Sequence, residues 1–163
     1  MSKGDSSLQR VHFELNSLGI DTDIKVLPAS TRTALEAARA VGCQVGQIVK
    51  SLVFQGVTSQ EPLLILTSGS NQVDEALVME ITGENIKFAS VDFVREETGF
   101  AIGGVSPFGL KKKITTYFDE DLLQYPLIWA AAGSDHALFC IQPNSLVKAI
   151  GAKVITVHPK KTE

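Results

Sequence analysis

The stretch Ile48-Val49-Lys50-Ser51-Leu52-Val53-Phe54 is followed, past Gly56 and a polar turn at Ser59-Gln60, by Leu63-Leu64-Ile65-Leu66-Thr67. Two runs rich in branched and aromatic residues, joined by a glycine and a short polar connection, predict a β-hairpin. Side chains alternate across a strand, so Lys50 shares a face with Ile48, Leu52 and Phe54, the more apolar one, and Ser51 and Gln55 lie opposite. A lysine on that face is anomalous, because burying an ammonium costs several kcal/mol unless it is paired or meets a polar cavity. Two readings of Lys50 stand at this point: the wall of a pocket, or a lysine near a strand end that snorkels to water.

Working outward toward the amino terminus, Thr33 and Glu36 form a capping box ahead of Ala34, Leu35, Ala37, Ala38 and Val41, a helix that Gly42 ends. Before it, Asp23 to Leu27 reads as a short strand closed by Pro28. Leu8, Val11, Leu15 and Leu18 recur at spacings of three and four, predicting a helix from about Ser6 to Leu18 that stops at Gly19. Beyond the hairpin, a helix is expected to begin at Asn71, with Asp74 and Glu75 near its positive end and Gly83 just past it. A strand at Ile86 to Ala89 and a two-turn helix capped by Ser90 and ended by Gly99 follow. Ile114 to Phe118, Leu127 to Ala131 and Ala137 to Ile141 read as strands, Asn144 as the cap of a helix to Ile150, and Lys153 to Val157 as the last strand. Short helices alternate with hairpin-connected strands, so the class is α/β of the α+β kind with a mixed sheet.

The chain has 163 residues, a length that suits one domain spanning residues 1–163. Hydrophobic residues at 44% against charged residues at 20% exclude a disordered chain, since there is ample apolar surface to bury. The longest apolar runs, Pro62 to Leu66 and Pro126 to Ala132, fall short of the roughly 20 residues that span a bilayer, so no membrane partner is expected. Met1-Ser2-Lys3-Gly4-Asp5-Ser6 lacks the apolar core of a secretory signal, which predicts a cytoplasmic protein. Cys43 and Cys140 lie far apart without Cys-x-x-Cys spacing, encode neither a disulfide framework nor a zinc site, and read as buried small hydrophobes. A net charge of −3 excludes a protein that coats nucleic acid by bulk electrostatics, and DNA is not an expected partner, while a local basic patch stays open.

Gly103-Gly104-Val105-Ser106-Pro107-Phe108-Gly109 is a loop whose glycines permit positive φ and close backbone approach to a ligand. Its N–H groups could bind an anion or a carbonyl oxygen gaining charge in acyl transfer, or the loop could be a turn and nothing more. It is neither a Walker loop, for no Gly-Lys-Ser/Thr follows, nor a nucleophile elbow, for Phe108 stands where Gly-x-Ser-x-Gly needs glycine. Ser106 is therefore a poor nucleophile. Lys111, Lys112 and Lys113 come next, either as a solvated surface or as positive charge for a phosphate beside the loop. His136, in Ala-Gly-Ser-Asp-His between two strands, is placed to look into a cleft or to serve a structural role. His12 and His158 make no metal spacing and no Ser-His-Asp set with it. With no obvious nucleophile, any hydrolysis here would use water.

Four segments taken together resemble the YbaK/prolyl-tRNA synthetase-associated family: Ser30-Thr31-Arg32-Thr33-Ala34, Gln47-Ile48-Val49-Lys50-Ser51-Leu52, the Gly103 to Gly109 loop, and Ala132-Gly133-Ser134. The specific pair is the strand lysine joined to a downstream Gly-Gly-x-Ser-Pro-x-Gly. The resemblance implies a mixed, mostly antiparallel, barrel-like sheet surrounded by short helices. It implies a trans-editing deacylase that hydrolyses the ester of a mischarged tRNA without a metal or other cofactor. Its partners would be the acceptor end of aminoacyl-tRNA and an aminoacyl-tRNA synthetase. Carried over, Lys50, Gly103 and Gly104 would be catalytic, and Thr31, Val105, Ser106, Pro107, Ser134 and His136 would bind substrate. Lys111, Lys112 and Lys113 would meet acceptor-stem phosphates. The amino acid would be small, such as alanine or cysteine, carried on tRNA-Pro. Gly133-Ser134-Asp135-His136 resembles members acting on alanine, and Leu138 falls where some cysteine-specific members carry a carboxylate. The alternative is a tRNA- or nucleotide-binding module without catalysis; an intact lysine and glycine loop favour the enzyme.

Overall fold

In the computed structural model, which describes residues 3–31 and 33–158, the chain runs α1 (Lys3–Ser17), β1 (Ile24–Val26), α2 (Ala34–Val41), β2 (Val49–Gly56), β3 (Pro62–Ser68), α3 (Glu75–Thr82), β4 (Ile86–Phe88), α4 (Val91–Thr98), β5 (Thr115–Asp119), β6 (Ile128–Ala131), β7 (Ala137–Ile141), α5 (Pro143–Ile150) and β8 (Lys153–Ile155). Met1, Ser2, Arg32 and residues 159–163, which figure in the readings above, lie outside the described residues. Two 3-10 turns that the sequence pattern did not announce, Val45–Gln47 and Glu120–Gln124, lead into β2 and out of β5.

The expected hairpin is β2–β3, paired antiparallel with Lys50 opposite Thr67 and Phe54 opposite Leu63. β3 is buried along its whole length because it is the middle strand of a five-stranded sheet ordered β4-β2-β3-β5-β8. β2 runs antiparallel to β3 and β4, whereas β3–β5 and β5–β8 are parallel. The other three strands form an antiparallel sheet ordered β1-β7-β6. The sheet is therefore mixed and mostly antiparallel, as expected, but it is not a closed barrel. The two sheets meet through a single bridge between Ile48 and Trp129, and β4 covers only Phe54 to Gly56 of β2. From Lys50 to Leu52 that edge of β2 is left open, and the cleft described below forms there.

The main core fills the space between the sheets. Val49, Val53, Leu64, Leu66 and Phe118 meet Ile128, Ala130, Phe139 and Ile141, with Val11 and Leu15 of α1 and Phe108 of the glycine loop closing it. A smaller cluster of Phe54, Leu63, Ile65 and Tyr117 packs under Val78 of α3, and a third joins Ala37 and Ala38 of α2 to Ile48 and Leu138. The face of β2 opposite Lys50 therefore carries Val49 and Val53 into the larger core, so the lysine's face is not the one that meets it. Lys50 stands where the smaller cluster ends.

Local signals placed most helix ends. Thr33 caps α2 by accepting from the Glu36 N–H at 3.1 Å, and Gly42 closes it in the left-handed region, where its N–H reaches Ala38 O. Ser90 caps α4 in the same way. Three assignments shift. α3 starts at Glu75 with Asp74 as its cap, because the Asn71 side chain is drawn into contacts with Asp119 and Asp121. α5 is capped at Gln142, with Pro143 in the first turn, rather than at Asn144. Cys43 and Cys140 are half-exposed free thiols, not buried ones. No helix among the described residues is long and apolar enough to cross a membrane.

Candidate active site

The open edge of β2, the start of α2 and the glycine loop enclose a cleft of about 540 Å³. Thr31, Lys50, Ser51, Gly103 and Val105 supply its polar and backbone surface, and Ala34, Ala37, Val45, Ile48 and Leu138 are among its apolar lining. Lys50 and Gly103, 53 positions apart in the chain, thus face one cavity, and the pocket-wall reading of Lys50 is the one the fold supports. The Lys50 Nζ donates to the backbone carbonyl of Asn71 at 2.5 Å. That uses one of the three N–H groups of an ammonium and leaves two for a ligand. Burial pushes the Lys50 pKa down, and the negative charge of Asp119 pushes it back up.

Gly103 adopts φ +92° and is exposed, and among the described residues its N–H has no backbone acceptor. Gly104 differs. Its N–H donates to Ala101 O at 3.0 Å inside the loop, and it is buried, facing away from the cleft. A Cβ there would stand 2.7 Å from Ser134 Cα, so Gly104 is a glycine because two backbones touch. Its role as a second donor to an oxyanion is not what this loop offers. Val105 lines the cleft, whereas Ser106 and Pro107 are buried beneath it. The Ser106 hydroxyl accepts from the Phe108 N–H at 3.2 Å, so it shapes the turn.

Thr31 lies at the cleft rim, held through its N–H and its hydroxyl to Asp135 O at 2.8 and 3.0 Å. Asp135 was not singled out in the sequence, yet its carbonyl joins the Thr31 segment to the Gly133 turn. Ser134 accepts from the His136 N–H at 3.1 Å and faces a neighbouring depression of about 470 Å³ with Gly104, Arg10 and Arg95. His136 is exposed, its Nδ1 2.8 Å from the Asp135 carboxylate, and it does not line the cleft. No carboxylate or imidazole does among the described residues. Among the same residues no group of three or more His, Cys, Asp or Glu side chains could hold a metal.

Lys111, Lys112 and Lys113 are exposed. Lys112 is paired with Glu97 at 2.7 Å, and Lys111 lies against Gly99, beside the Arg10 guanidinium. The basic residues that line the second depression are Arg10 and Arg95; the three lysines line neither it nor the cleft.

Residues 28–149 match the family model described as Aminoacyl-tRNA editing domain. The chain is 30% identical to the uncharacterized protein YwhH of Bacillus subtilis over 148 residues, covering 91% of this chain and 94% of that one. It is 25% identical to the "Putative Cys-tRNA(Pro)/Cys-tRNA(Cys) deacylase EbsC" of Enterococcus faecalis, with 79% of each chain covered. A solved structure described as "a putative trans-editing enzyme for prolyl tRNA synthetase" superposes with a TM-score of 0.88 at 46% identity, over 94% of this chain and 98% of that one. With the match spanning both the strand lysine and the glycine loop, the chain belongs to the aminoacyl-tRNA editing domain family.

Proposed function

We propose that the protein is a trans-editing aminoacyl-tRNA deacylase that removes a small amino acid, alanine or cysteine, from mischarged tRNA-Pro. The observation that carries this reading is that Lys50 and Gly103, whose N–H has no backbone acceptor among the described residues, line one cleft whose remaining walls are mostly apolar. An aminoacyl ester is already activated, so orienting a water and stabilising the developing oxyanion supply most of what its hydrolysis needs. A lone pair of the water forms a bond to the carbonyl carbon as the C=O π pair moves onto the carbonyl oxygen, which Gly103 N–H and the Lys50 ammonium stabilise. The bond to the ribose oxygen then breaks, and that oxygen takes up the proton the water gives up. Among the described residues no side chain in the cleft is a carboxylate or imidazole, which fits a reaction run by position and electrostatics rather than by a protein base.

The apolar end, with Ala34, Ala37, Val45 and Leu138, suits a short uncharged side chain. The names of the relatives and of the superposed structure point to tRNA-Pro and a partnership with prolyl-tRNA synthetase. Arg95 and the exposed Lys111 to Lys113 then receive acceptor-stem phosphates. Purified protein incubated with Ala-tRNA(Pro), Cys-tRNA(Pro) and correctly charged Pro-tRNA(Pro) tests the reading. Hydrolysis of the first or second, sparing the third, and its loss in a folded Lys50→Ala variant are expected. Tight binding of all three with no turnover would replace the enzyme with a binding module.

A further inference from the structure

Beneath Lys50 lies a polar network that the deacylase reading does not use. Asp119, at the end of β5, is 1% exposed. Its Oδ2 accepts from the Ser68 N–H at 2.9 Å and from Asn71 Nδ2 at 2.8 Å, and its Oδ1 accepts from the Asp121 N–H at 2.9 Å. Asn71 Nδ2 also donates to Asp121 Oδ2 at 2.9 Å, which lies 3.3 Å from His158 Nε2. The Asn71 carboxamide is thereby fixed by two carboxylates, and the carbonyl of that same residue receives Lys50 Nζ.

A buried carboxylate this fully hydrogen-bonded has a strong orienting effect, because leaving any of its partners unpaired costs the desolvation of that group. The network runs from the sheet core to the residue whose carbonyl accepts from the ammonium. We propose that Asn71 and Asp119 are positioning residues for Lys50: Asp119 clamps Asn71, and the Asn71 carbonyl holds the ammonium in place. Neither residue touches substrate. The inference rests on Lys50 acting in hydrolysis, and it specifies what keeps that lysine in place.

Two variants and two measurements test it. Asn71→Ala, at a half-exposed position outside any helix or strand, removes the clamp and leaves the chain free to fold; Asp119→Asn removes the charge with little change of shape. In single turnover with Ala-tRNA(Pro), each is expected to lower the rate at saturating enzyme by about ten- to a hundred-fold, the effect of small misplacement, with tRNA affinity unchanged. The titration of the Lys50 side chain, followed by NMR through its ε-carbon in ligand-free protein, is expected to move to lower pH in Asp119→Asn, because the nearby negative charge is gone. In Asn71→Ala the same signal should change position at fixed pH. An unmoved Lys50 signal in both variants overturns the proposal whatever the rates do, and so do wild-type rates. If Asp119→Asn fails to fold, Asn71→Ala decides alone by the same two readings. Because the titration needs no substrate, a fully active Lys50→Ala would sink the deacylase mechanism without touching the assignment of the clamp.

Discussion

Replacing Gly103 and Gly104 separately by alanine asks which glycine does chemistry. At Gly104 the backbone is not in the positive-φ region, so the cost is steric: the new Cβ would lie 2.7 Å from Ser134 Cα, 2.9 Å from Ser134 N and 3.1 Å from Gly133 C. All three are backbone atoms that cannot rotate away, and relieving such overpacking costs about 1–3 kcal/mol. At Gly103 the space is open, with Asp135 Cβ at 3.7 Å, and the cost is torsional, since φ +92° is closed to most L-residues. Strain of that kind costs about 1–2 kcal/mol. For a chain of this length each kcal/mol lowers Tm by roughly 2–4 °C, so both variants should melt several degrees early and still be folded at 25 °C. Their kinetics should part. Gly104→Ala should keep a near-normal single-turnover rate, its N–H being committed to Ala101 O. Gly103→Ala should lose about ten- to a thousand-fold, the effect of displacing one preorganised donor. Single-turnover hydrolysis of Ala-tRNA(Pro) at saturating enzyme, beside a thermal melt of each variant, reads both quantities. A Gly103→Ala enzyme that melts early but hydrolyses at the wild-type rate would refute the oxyanion role and leave the loop a turn.

Burial lowers the Lys50 pKa in the folded protein below its ordinary value of 10.5, so between those two values the unfolded chain holds more protons and wild-type stability rises with pH. Lys50→Met should therefore be at least as stable as wild type at pH 7 though inactive, with its advantage shrinking toward pH 10; a variant markedly less stable at pH 7 would mean that the lysine is structural. Lys111, Lys112 and Lys113 changed together to alanine should reduce the salt-dependence slope of tRNA binding by about 2, and an unchanged slope would return them to a solvated surface. Ser106→Ala should cost roughly 1–2 kcal/mol through the unpaired Phe108 N–H and leave the rate of folded enzyme intact, whereas a selective rise in KM would show that Ser106 meets substrate after all.

What could be read from the chain alone was what neighbours in sequence decide. The Thr33 cap needs only Glu36, the hairpin needs only its two runs and a turn, and the side of β2 on which Lys50 stands follows from alternation. Alternation did not reveal which face of β2 meets the larger core, because the partners of Val49 and Val53 sit on a second sheet. Asn71 looked like a helix start because Asp74 and Glu75 follow it, but contacts with Asp119 and Asp121, 48 and 50 positions on, compete for its side chain and win. Gly103 and Gly104 are indistinguishable as letters. They separate only when Ala101 O claims the N–H of Gly104 and the Ser134 backbone crowds its Cα. The family pattern named His136, yet the fold leaves its ring outside the cleft, paired with Asp135.

The cleft draws its walls from Thr31 to Leu138, and β3 is joined to β5 in parallel across a connection that holds two helices and another strand. During synthesis the β2–β3 hairpin has every partner it needs early, but a parallel pairing across so long a loop must wait, since its closure entropy comes due before its contacts form. Lys50 is thus made long before there is a cavity for it to line. A ribosome-stalled chain ending near residue 110 should show a protected hairpin and no ester hydrolysis, and activity should switch on abruptly once β6 and β7 have left the exit tunnel. Until then the edge of β3 that β5 will cover is unpaired, and the moment that completes the cleft is also the moment that removes this liability to aggregate.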